Sequence, residues 1–262
     1  MRHSVLDSQG RGALITGAGA SDGIGYATAR LLAESGAAVF LVSLGGRAVV
    51  RAQELTAAGH LAYGASCDLT DPDAVKALMQ EVLARLPALH VVVNNAGMTS
   101  TAGDSARESG PVEEVEFAGW RAGIARNLDS AFLVTKGALP ALRASGSGRI
   151  VMVASVTGPV MAMGGDVAYA ASKSGLVGLA RAIAIDEARH GVTANAVAPG
   201  WIATGSQTPH EYEQGLRTPM GRSARPEEVA SAITWLASPG ASYVTGQCLV
   251  VDGGNSIAEE RR

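Results

Sequence analysis

Residues 16–25 read TGAGASDGIG, a stretch of four glycines in ten positions that follows the apolar run Ala13–Ile15 directly. The next segment, IGYATARLLAESG, places apolar side chains at helical spacing and ends at Gly36. A glycine loop between a strand and a helix is the setting in which proteins bind a dinucleotide pyrophosphate, because glycine permits close backbone approach and the helix N-terminus favours negative charge. On this stretch alone, an ordinary tight turn from strand to helix remains the alternative.

Short apolar runs alternate along the chain with longer segments of helical period, which is typical of a parallel sheet covered by helices. The runs HVVVNN, RIVMVAS and VTANAVAP are apolar at successive positions, as strands buried on both faces should be. The predicted fold class is α/β, a Rossmann-type doubly wound parallel sheet in three layers (αβα), with a single domain over residues 1–262. Strands are predicted at about 12–16, 38–43, 60–66, 89–94, 149–154, 192–198 and 247–251.

Open parallel sheets bind ligands at the carboxyl ends of their strands. Polar or glycine residues stand at three of these predicted ends: Asn94–Gly97, Ser155 and Pro199–Gly200. Two polar stretches, 99–111 and 203–219, are predicted to be loops at the rim of the site, the second of them a short substrate-loop insertion.

Composition excludes several classes of function. The 262 residues, 47% of them hydrophobic, are enough to bury a substantial core, and a formal net charge of -3 provides no basic field for nucleic acid or a membrane surface. The two cysteines are distant, the N-terminal MRHSVLDSQGRG has no apolar signal core, and no apolar run approaches the roughly 18 residues of a membrane span. The five histidines are scattered without ligand spacing, so no metal site is predicted. We therefore expect a cytoplasmic protein that acts on a small molecule.

The end of the second predicted strand bears on the choice of nicotinamide cofactor. A simple dinucleotide-binding protein has an acidic side chain there, about 20 residues after the glycine loop, that binds the ribose 2′-hydroxyl. In FLVSLGGR this position is Ser43, and Arg47 follows it. With no carboxylate to repel a 2′-phosphate, and with a hydroxyl and a guanidinium nearby to bind one, NADP(H) is favoured over NAD(H). Arg47 is also consistent with a solvated residue at the start of a helix.

Tyr169 and Lys173 lie four residues apart in AYAASKSGLVGLARAIAIDEARHG, a segment predicted to form one long helix. That spacing puts both side chains on one face, one turn apart. A free phenol has a pKa of roughly 10, and we expect the neighbouring ammonium to lower that pKa by stabilising the phenolate. The pair would then exchange a proton with a carbonyl or alcohol oxygen. On spacing alone, an ordinary surface contact between the two remains the alternative.

Two further polar residues accompany this pair. Ser155 ends a buried strand 14 residues before Tyr169, where its hydroxyl would donate to the same substrate oxygen or, alternatively, cap a turn. Asn127, in ARNLDSAF, lies in an apolar helical stretch where a buried amide needs a partner. It would anchor a water or a backbone carbonyl beneath Lys173, or else be a satisfied core amide.

Together, in this order, these motifs resemble the short-chain dehydrogenase/reductase family over about residues 10–255, and within it the 3-oxoacyl-(acyl-carrier-protein) reductases. The resemblance rests on TGAGASDGIG, CDLT at 67–70, NNAG at 94–97, Asn127, Ser155, YAASK at 169–173, APGWIAT at 198–204 and VDGG at 251–254.

The resemblance implies a role for each polar residue. Tyr169 would be the proton donor or acceptor, and Lys173 would bind the nicotinamide ribose and lower the tyrosine pKa. Ser155 would orient the substrate carbonyl, and Asn127 would support a proton relay. The cofactor contacts predicted from the residues and the resemblance together are Gly17, Gly19, Asp22, Gly23, Ile24, Gly25, Ser43, Arg47, Asp68, Leu69, Asn95, Ala96, Gly97, Tyr169, Lys173, Pro199, Gly200, Ile202 and Thr204.

Within that set the resemblance implies that Asp68 bonds the adenine, while Ile202 and Thr204 approach the nicotinamide carboxamide. The glycine loop is expected to hold the pyrophosphate, although it is two residues longer within 18–22 than the family pattern T-G-x-x-x-G-x-G. Because a carboxylate would repel phosphate, Asp22 is expected to cap the helix or to face solvent.

Three functions follow from these observations. The first is NADP-dependent reduction of a 3-oxoacyl thioester or related ketone. The second is NAD(P)-dependent oxidation of a sugar, polyol, steroid or small alcohol. The third is a non-catalytic dinucleotide sensor, which would have no need of the Ser155, Tyr169 and Lys173 set.

Partners are inferred in the same way. An acidic acyl-carrier protein would need a basic rim, for which Arg121, Arg126, Arg143 and Arg149 are candidates. Ile185 stands where many such reductases have an arginine, a departure from the pattern. The resemblance also implies a homotetramer, with LVGLARAIAI at 176–185 and YVTGQCLVV at 243–251 as contact surfaces.

Overall fold

The protein is described by a computed structural model that covers residues 6–98 and 108–259. Seven parallel strands form one sheet in the order β3-β2-β1-β4-β5-β6-β7. Each strand lies within two residues of its predicted position, so the predicted doubly wound α/β fold is confirmed. The strands are β1 (Gly12–Thr16), β2 (Ala38–Ser43), β3 (Ala62–Ser66), β4 (Leu89–Asn94), β5 (Arg149–Val153), β6 (Thr193–Pro199) and β7 (Cys248–Val251).

Helices connect the strands and cover both faces of the sheet. Within the described residues they are α1 (Ile24–Glu34), α2 (Arg47–Ala57), α3 (Pro72–Arg85), α4 (Phe117–Ile124), α5 (Ser130–Ala144), α6 (Val167–Glu187), α7 (Pro209–Leu216) and α8 (Pro226–Ala237). A π-helical turn, Ala125–Asp129, joins α4 to α5.

The core consists of two hydrophobic clusters, one on each face of the sheet. In β1, Leu14 packs into one cluster while Ala13 and Ile15 pack into the other, and all three are fully buried. This two-sided burial explains why the strands read as continuous apolar runs. The strand order reverses between β1 and β4, which opens a crevice at the carboxyl ends of these two strands.

Of the two stretches predicted to be loops, 99–111 and 203–219, the structure describes only the second in full. In 203–219 the prediction of a simple loop is wrong, because the helix α7 forms there. The Thr208 hydroxyl accepts from the Glu211 N–H, and the Glu211 carboxylate accepts from the Thr208 N–H, which closes a capping box. Most of the other stretch, residues 99–107, lies outside the described residues. In the part of the chain that is described, no helix has the length and apolar character needed to span a membrane.

Candidate active site

The glycine loop lies against the end of β4. Gly17 has a φ of +67°, and a Cβ added there would come within 2.8 Å of the Ala96 backbone. A Cβ on Gly25 would lie 2.5 Å from the Asn95 amide nitrogen. Helix α1 begins immediately after Gly23, and no side-chain cap occupies its first turn. The loop therefore forms a close-packed cradle that only glycine allows, and the uncapped N–H groups at the start of α1 suit an anion.

Thr16, the last residue of β1, holds this cradle to the neighbouring strand. Its hydroxyl accepts hydrogen bonds from the backbone N–H groups of Asn95 and Ala96, each at 3.0 Å. The Asn95 amide in turn donates to the carbonyls of Thr16 and Gly17. Thr16 was not among the site residues predicted from the sequence. The available signal was a hydroxyl at the end of an otherwise apolar buried strand.

The two extra residues of the loop bring Asp22 to the segment that follows β6. Asp22 is exposed, and it does not cap α1, so of its two predicted placements the structure shows the solvent-facing one. A Cβ added to Gly205 would lie 2.5 Å from a carboxylate oxygen of Asp22. The longer glycine loop thus contacts the segment between β6 and α7 directly.

Ser43 and Arg47 lie together at the end of β2, beside Gly19. A Cβ on Gly19 would be 3.0 Å from the Ser43 Cβ and 3.1 Å from the Arg47 Cβ. The Ser43 hydroxyl accepts from the Ala48 N–H and donates to the Gly45 carbonyl, so its first role is to support the start of α2. Arg47 is exposed, so its guanidinium group is accessible to a ligand at this corner of the crevice.

Asp68 lies after β3, where the adenine contact was predicted. One of its carboxylate oxygens accepts from both the N–H and the hydroxyl of Thr70, at 2.9 and 2.7 Å. These bonds lower the pKa of Asp68. Asp68 is exposed and keeps a second oxygen as an acceptor, while Leu69 is buried beneath it.

Tyr169, Lys173 and Ser155 come together at the carboxyl end of β5. The Lys173 Nζ lies 5.4 Å from the centroid of the Tyr169 ring and donates to the Val153 carbonyl at 2.9 Å. The Ser155 side chain hydrogen bonds with Tyr169, and its Oγ also accepts from the Thr157 N–H. Lys173 is only 3% exposed, which excludes the alternative of an ordinary surface contact.

The pKa of Tyr169 moves in the direction opposite to the prediction. Burial raises it above its ordinary value, the hydrogen bond with Ser155 lowers it, and the carboxylates of Asp166 and Glu211 raise it further. Burial also lowers the pKa of Lys173 to about 8. The expectation that the lysine makes the phenol more acidic is therefore wrong for the protein alone, because removal from water penalises the charged form of both groups.

Asn127 belongs to the π-helical turn, a rare element that is frequent at functional sites. Its amide nitrogen donates to the carbonyls of Met98 and Gly123. Among the described residues its amide oxygen has no hydrogen-bond partner although it is buried, which leaves an acceptor for a water molecule. A Cβ on Gly97 would lie 2.5 Å from this oxygen and 3.2 Å from the Lys173 Nζ, so the three residues are neighbours.

A small cavity with room for about one water molecule lies beside Tyr169. It is lined by Glu108, Ser109, Gly123, Asn127, Asp166, Ala168 and Tyr169.

The remaining predicted contacts follow β6. Gly200 lies against β7, where an added Cβ would meet the Asp252 Cβ at 2.7 Å, and its N–H donates to the Val251 carbonyl. Ile202 bridges to Ala224. The first two residues of the VDGG motif, Val251 and Asp252, therefore pack against Pro199 and Gly200.

The predicted basic rim does not form as expected. Arg149 begins β5, at the end of the sheet away from the site, where it is buried and donates to backbone carbonyls. Arg143 forms a two-pronged ion pair with Glu187, and Arg126 forms one with Glu108. Of the four candidates, Arg121 is an exposed residue of α4.

Comparison with known proteins identifies the family. The family model described as enoyl-(acyl carrier protein) reductase matches residues 17–256, nearly the whole chain. The chain belongs to the short-chain dehydrogenase/reductase family. Members of this family are oxidoreductases that bind NAD(P)H, which agrees with the resemblance stated from the sequence.

Several individual members are similar over almost their full length. Cis-4-hydroxycyclohexanecarboxylate dehydrogenase of Sinomonas cyclohexanicum is 43% identical over 93% of this chain and 96% of that protein. Cyclohexanol dehydrogenase of Acinetobacter sp. (strain SE19) is 36% identical, with 92% and 93% covered. The 3-oxoacyl-(acyl-carrier-protein) reductase FabG of Vibrio cholerae is also 36% identical, with 95% and 98% covered. The solved structure of a dehydrogenase/reductase from Sinorhizobium meliloti 1021 has a TM-score of 0.87 at 32% identity, with 97% and 98% covered.

Proposed function

We propose that this short-chain dehydrogenase/reductase interconverts a secondary alcohol on a small alicyclic ring and its ketone, with NADP(H) as the hydride carrier. The observation that supports it most is the half-buried Tyr169 phenol, which hydrogen bonds with Ser155 and whose ring lies 5.4 Å from the Lys173 Nζ. The alicyclic substrate class is supported by the two relatives that are named as cyclohexane-ring dehydrogenases.

The residues of the crevice fit a nicotinamide dinucleotide. A side chain at Gly17 or Gly25 would fill the cradle, and the uncapped start of α1 suits the pyrophosphate charge. Asp68 would accept from the adenine amino group through its second oxygen. A bound nicotinamide cofactor would supply the hydride acceptor for alcohol oxidation or the hydride donor for ketone reduction.

The protein supplies the proton chemistry. In the direction of reduction, the Tyr169 hydroxyl gives its proton to the substrate oxygen, and the Ser155 hydroxyl donates a hydrogen bond to that oxygen as negative charge develops. Because the pKa of Lys173 is about 8, its amine is protonated at pH 7 and faces the phenolate that remains. In oxidation the same groups act in reverse, and the free oxygen of Asn127 would hold a water that connects Lys173 to solvent.

NADP(H) is proposed over NAD(H) because Ser43 replaces the usual carboxylate and Arg47 is exposed beside it. We expect Arg47→Ala to raise the KM for NADPH about tenfold and to change the KM for NADH by less than about twofold. Arg51→Ala is the matched control, since Arg51 lies one turn further on α2 and pairs with Glu54 at 2.6 Å. Equal effects of Arg47→Ala on both cofactors would overturn the NADP assignment.

Reduction of 3-oxoacyl thioesters is the second candidate function, favoured by the FabG relative. It is the second candidate because three of the four arginines proposed for carrier docking are paired with carboxylates or lie at the other end of the sheet. Steady-state rates with cyclohexanone and with an acetoacetyl thioester separate the two. We expect kcat/KM to be at least about tenfold higher for the ring ketone, and the reverse order would establish the thioester reductase.

A homotetramer is part of the proposal, and its surfaces are those predicted from the sequence. Ile185 on α6 is 81% exposed, and the edge strand β7 presents Leu249 and Val250. Apolar residues in these positions suit contacts between copies of the chain. Size-exclusion chromatography with light scattering is the test, and a monomer at micromolar concentration would contradict it.

A further inference from the structure

We propose that Asp166 makes this site select against anionic substrates, so that the favoured ring alcohols bear a neutral or cationic group in place of a carboxylate. The inference rests on the proposed alcohol dehydrogenase activity and names the substrate class of the same site.

Asp166 lies immediately before α6, three residues before Tyr169, and lines the same small cavity as Tyr169 and Asn127. It occupies the position of a helix cap, but its side chain makes no capping bond to α6. Its backbone carbonyl accepts from the Ala170 N–H, which fixes the residue at this point of the site. Within residues 6–98 and 108–259, its carboxylate has neither an ion-pair partner nor a hydrogen-bond donor.

The other carboxylate of the cavity differs in this respect. Glu108 is 8% exposed, and both of its oxygens bond to Arg126 at 2.7 Å. A two-pronged arginine pair cancels most of the charge of a carboxylate. Asp166 therefore contributes a negative charge next to Tyr169 that no described cation neutralises.

A second carboxylate, on helix α7, adds negative charge near Tyr169. Burial is the main cause that raises the pKa of Asp166 and of Tyr169, and the carboxylate of Glu211, on α7, raises the pKa of each further. One Glu211 oxygen is held at 2.7 Å by the Thr208 N–H, so the position of this carboxylate is set by the capping box. Lys173 forms no ion pair with either carboxylate, since its Nζ donates to the Val153 carbonyl instead.

Apolar side chains lie on the loop after β5 and on the segment after α7. The Met161 sulfur lies 3.6 Å from the Asn255 amide, and Met220 packs on Gly253. The loop after β5 and the segment after α7 therefore both contact the residues that follow β7. Val160 and Met163 in the first of these loops are partly exposed. A carboxylate on a substrate ring would be repelled by Asp166, and the described lining of the cavity offers it no cationic side chain.

This conclusion distinguishes the protein from a relative at 43% identity. That relative is named as a dehydrogenase of cis-4-hydroxycyclohexanecarboxylate, whose substrate bears a carboxylate. We infer that this compound is a poor substrate here.

The experiment compares three alcohols whose 4-substituent is cationic, neutral or anionic: 4-aminocyclohexanol, 4-methylcyclohexanol and 4-hydroxycyclohexanecarboxylate, each oxidised with NADP⁺ by the protein. We expect kcat/KM for the methyl compound to exceed that for the carboxylate by about tenfold or more. Asp166→Asn removes the charge at constant size, and it should reduce this ratio by about tenfold, with the opposite change for the amino compound. Because the readout is a ratio between substrates, general damage to the enzyme does not alter it.

Glu213→Gln is the matched control, since Glu213 is an exposed carboxylate on α7 and its replacement changes the net charge equally. It should leave the ratio within about twofold of wild type. The inference is overturned if wild type oxidises the carboxylate as well as the methyl compound, or if Asp166→Asn changes the ratio no more than Glu213→Gln does. Absence of turnover with all three alcohols, and with their ketones, would instead refute the proposed function.

Discussion

Replacing Lys173 by methionine tests the electrostatics of the site in the protein without cofactor. Lys173 is 3% exposed, and burial lowers its pKa from 10.5 to about 8. Between these two pH values the unfolded chain holds a proton that the folded protein has released, so the free energy of unfolding rises with pH. From pH 7 to pH 9.5 the rise amounts to about 2 kcal/mol for the wild type, and Lys173→Met lacks it.

The variant also loses the hydrogen bond from Nζ to the Val153 carbonyl. That loss is the same at both pH values, so it cancels when each protein is compared with itself. The assay is urea unfolding followed by tryptophan fluorescence, on wild type and Lys173→Met at pH 7 and pH 9.5. We expect wild type to gain about 2 kcal/mol relative to the variant at the higher pH. A relative gain below about 0.5 kcal/mol would refute the buried, weakly basic amine.

Three further outcomes are expected. Thr16→Val leaves two backbone N–H groups without their acceptor, so urea unfolding should show a loss of about 2 kcal/mol, and unchanged stability would contradict this role. Gly25→Ala should weaken NADPH binding at least about tenfold in a fluorescence titration, because its Cβ meets the Asn95 amide, whereas Gly178→Ala on α6 has open space and should bind normally. Arg143→Ala should leave KM for a carrier-bound thioester within about twofold, and a selective rise would indicate carrier docking.

The five central strands were predictable because burial on both faces makes them apolar runs, as in HVVVNN and RIVMVAS, whereas the edge strands β3 and β7 are only partly buried. Helix α7 was missed because its residues are mostly polar, although Thr208, Pro209 and Glu211 form a recognisable start signal for a helix. The location of Arg149 away from the site could also have been predicted, because it is the first residue of the predicted strand 149–154. A residue that begins a parallel strand lies at the opposite end of the sheet from the ligand.

The proximity of Tyr169 and Lys173 was predictable from the sequence, but the electrostatic environment around them was not. Helical spacing placed Tyr169 and Lys173 together, and the structure has them adjacent. The direction of the tyrosine pKa was wrong because spacing does not reveal how fully both groups are withdrawn from water. The contribution of Asp166 was missed for a similar reason, since only the fold shows which carboxylates lack a cation.

The central claim is that the Tyr169 hydroxyl transfers the proton while other residues hold the cofactor. The most direct measurement is turnover of a ring ketone by Tyr169→Phe, with the dissociation constant of NADPH determined on the same sample. We predict that kcat falls by about 10³-fold or more, while the dissociation constant stays within about threefold of wild type. Turnover within about tenfold of wild type would contradict the account.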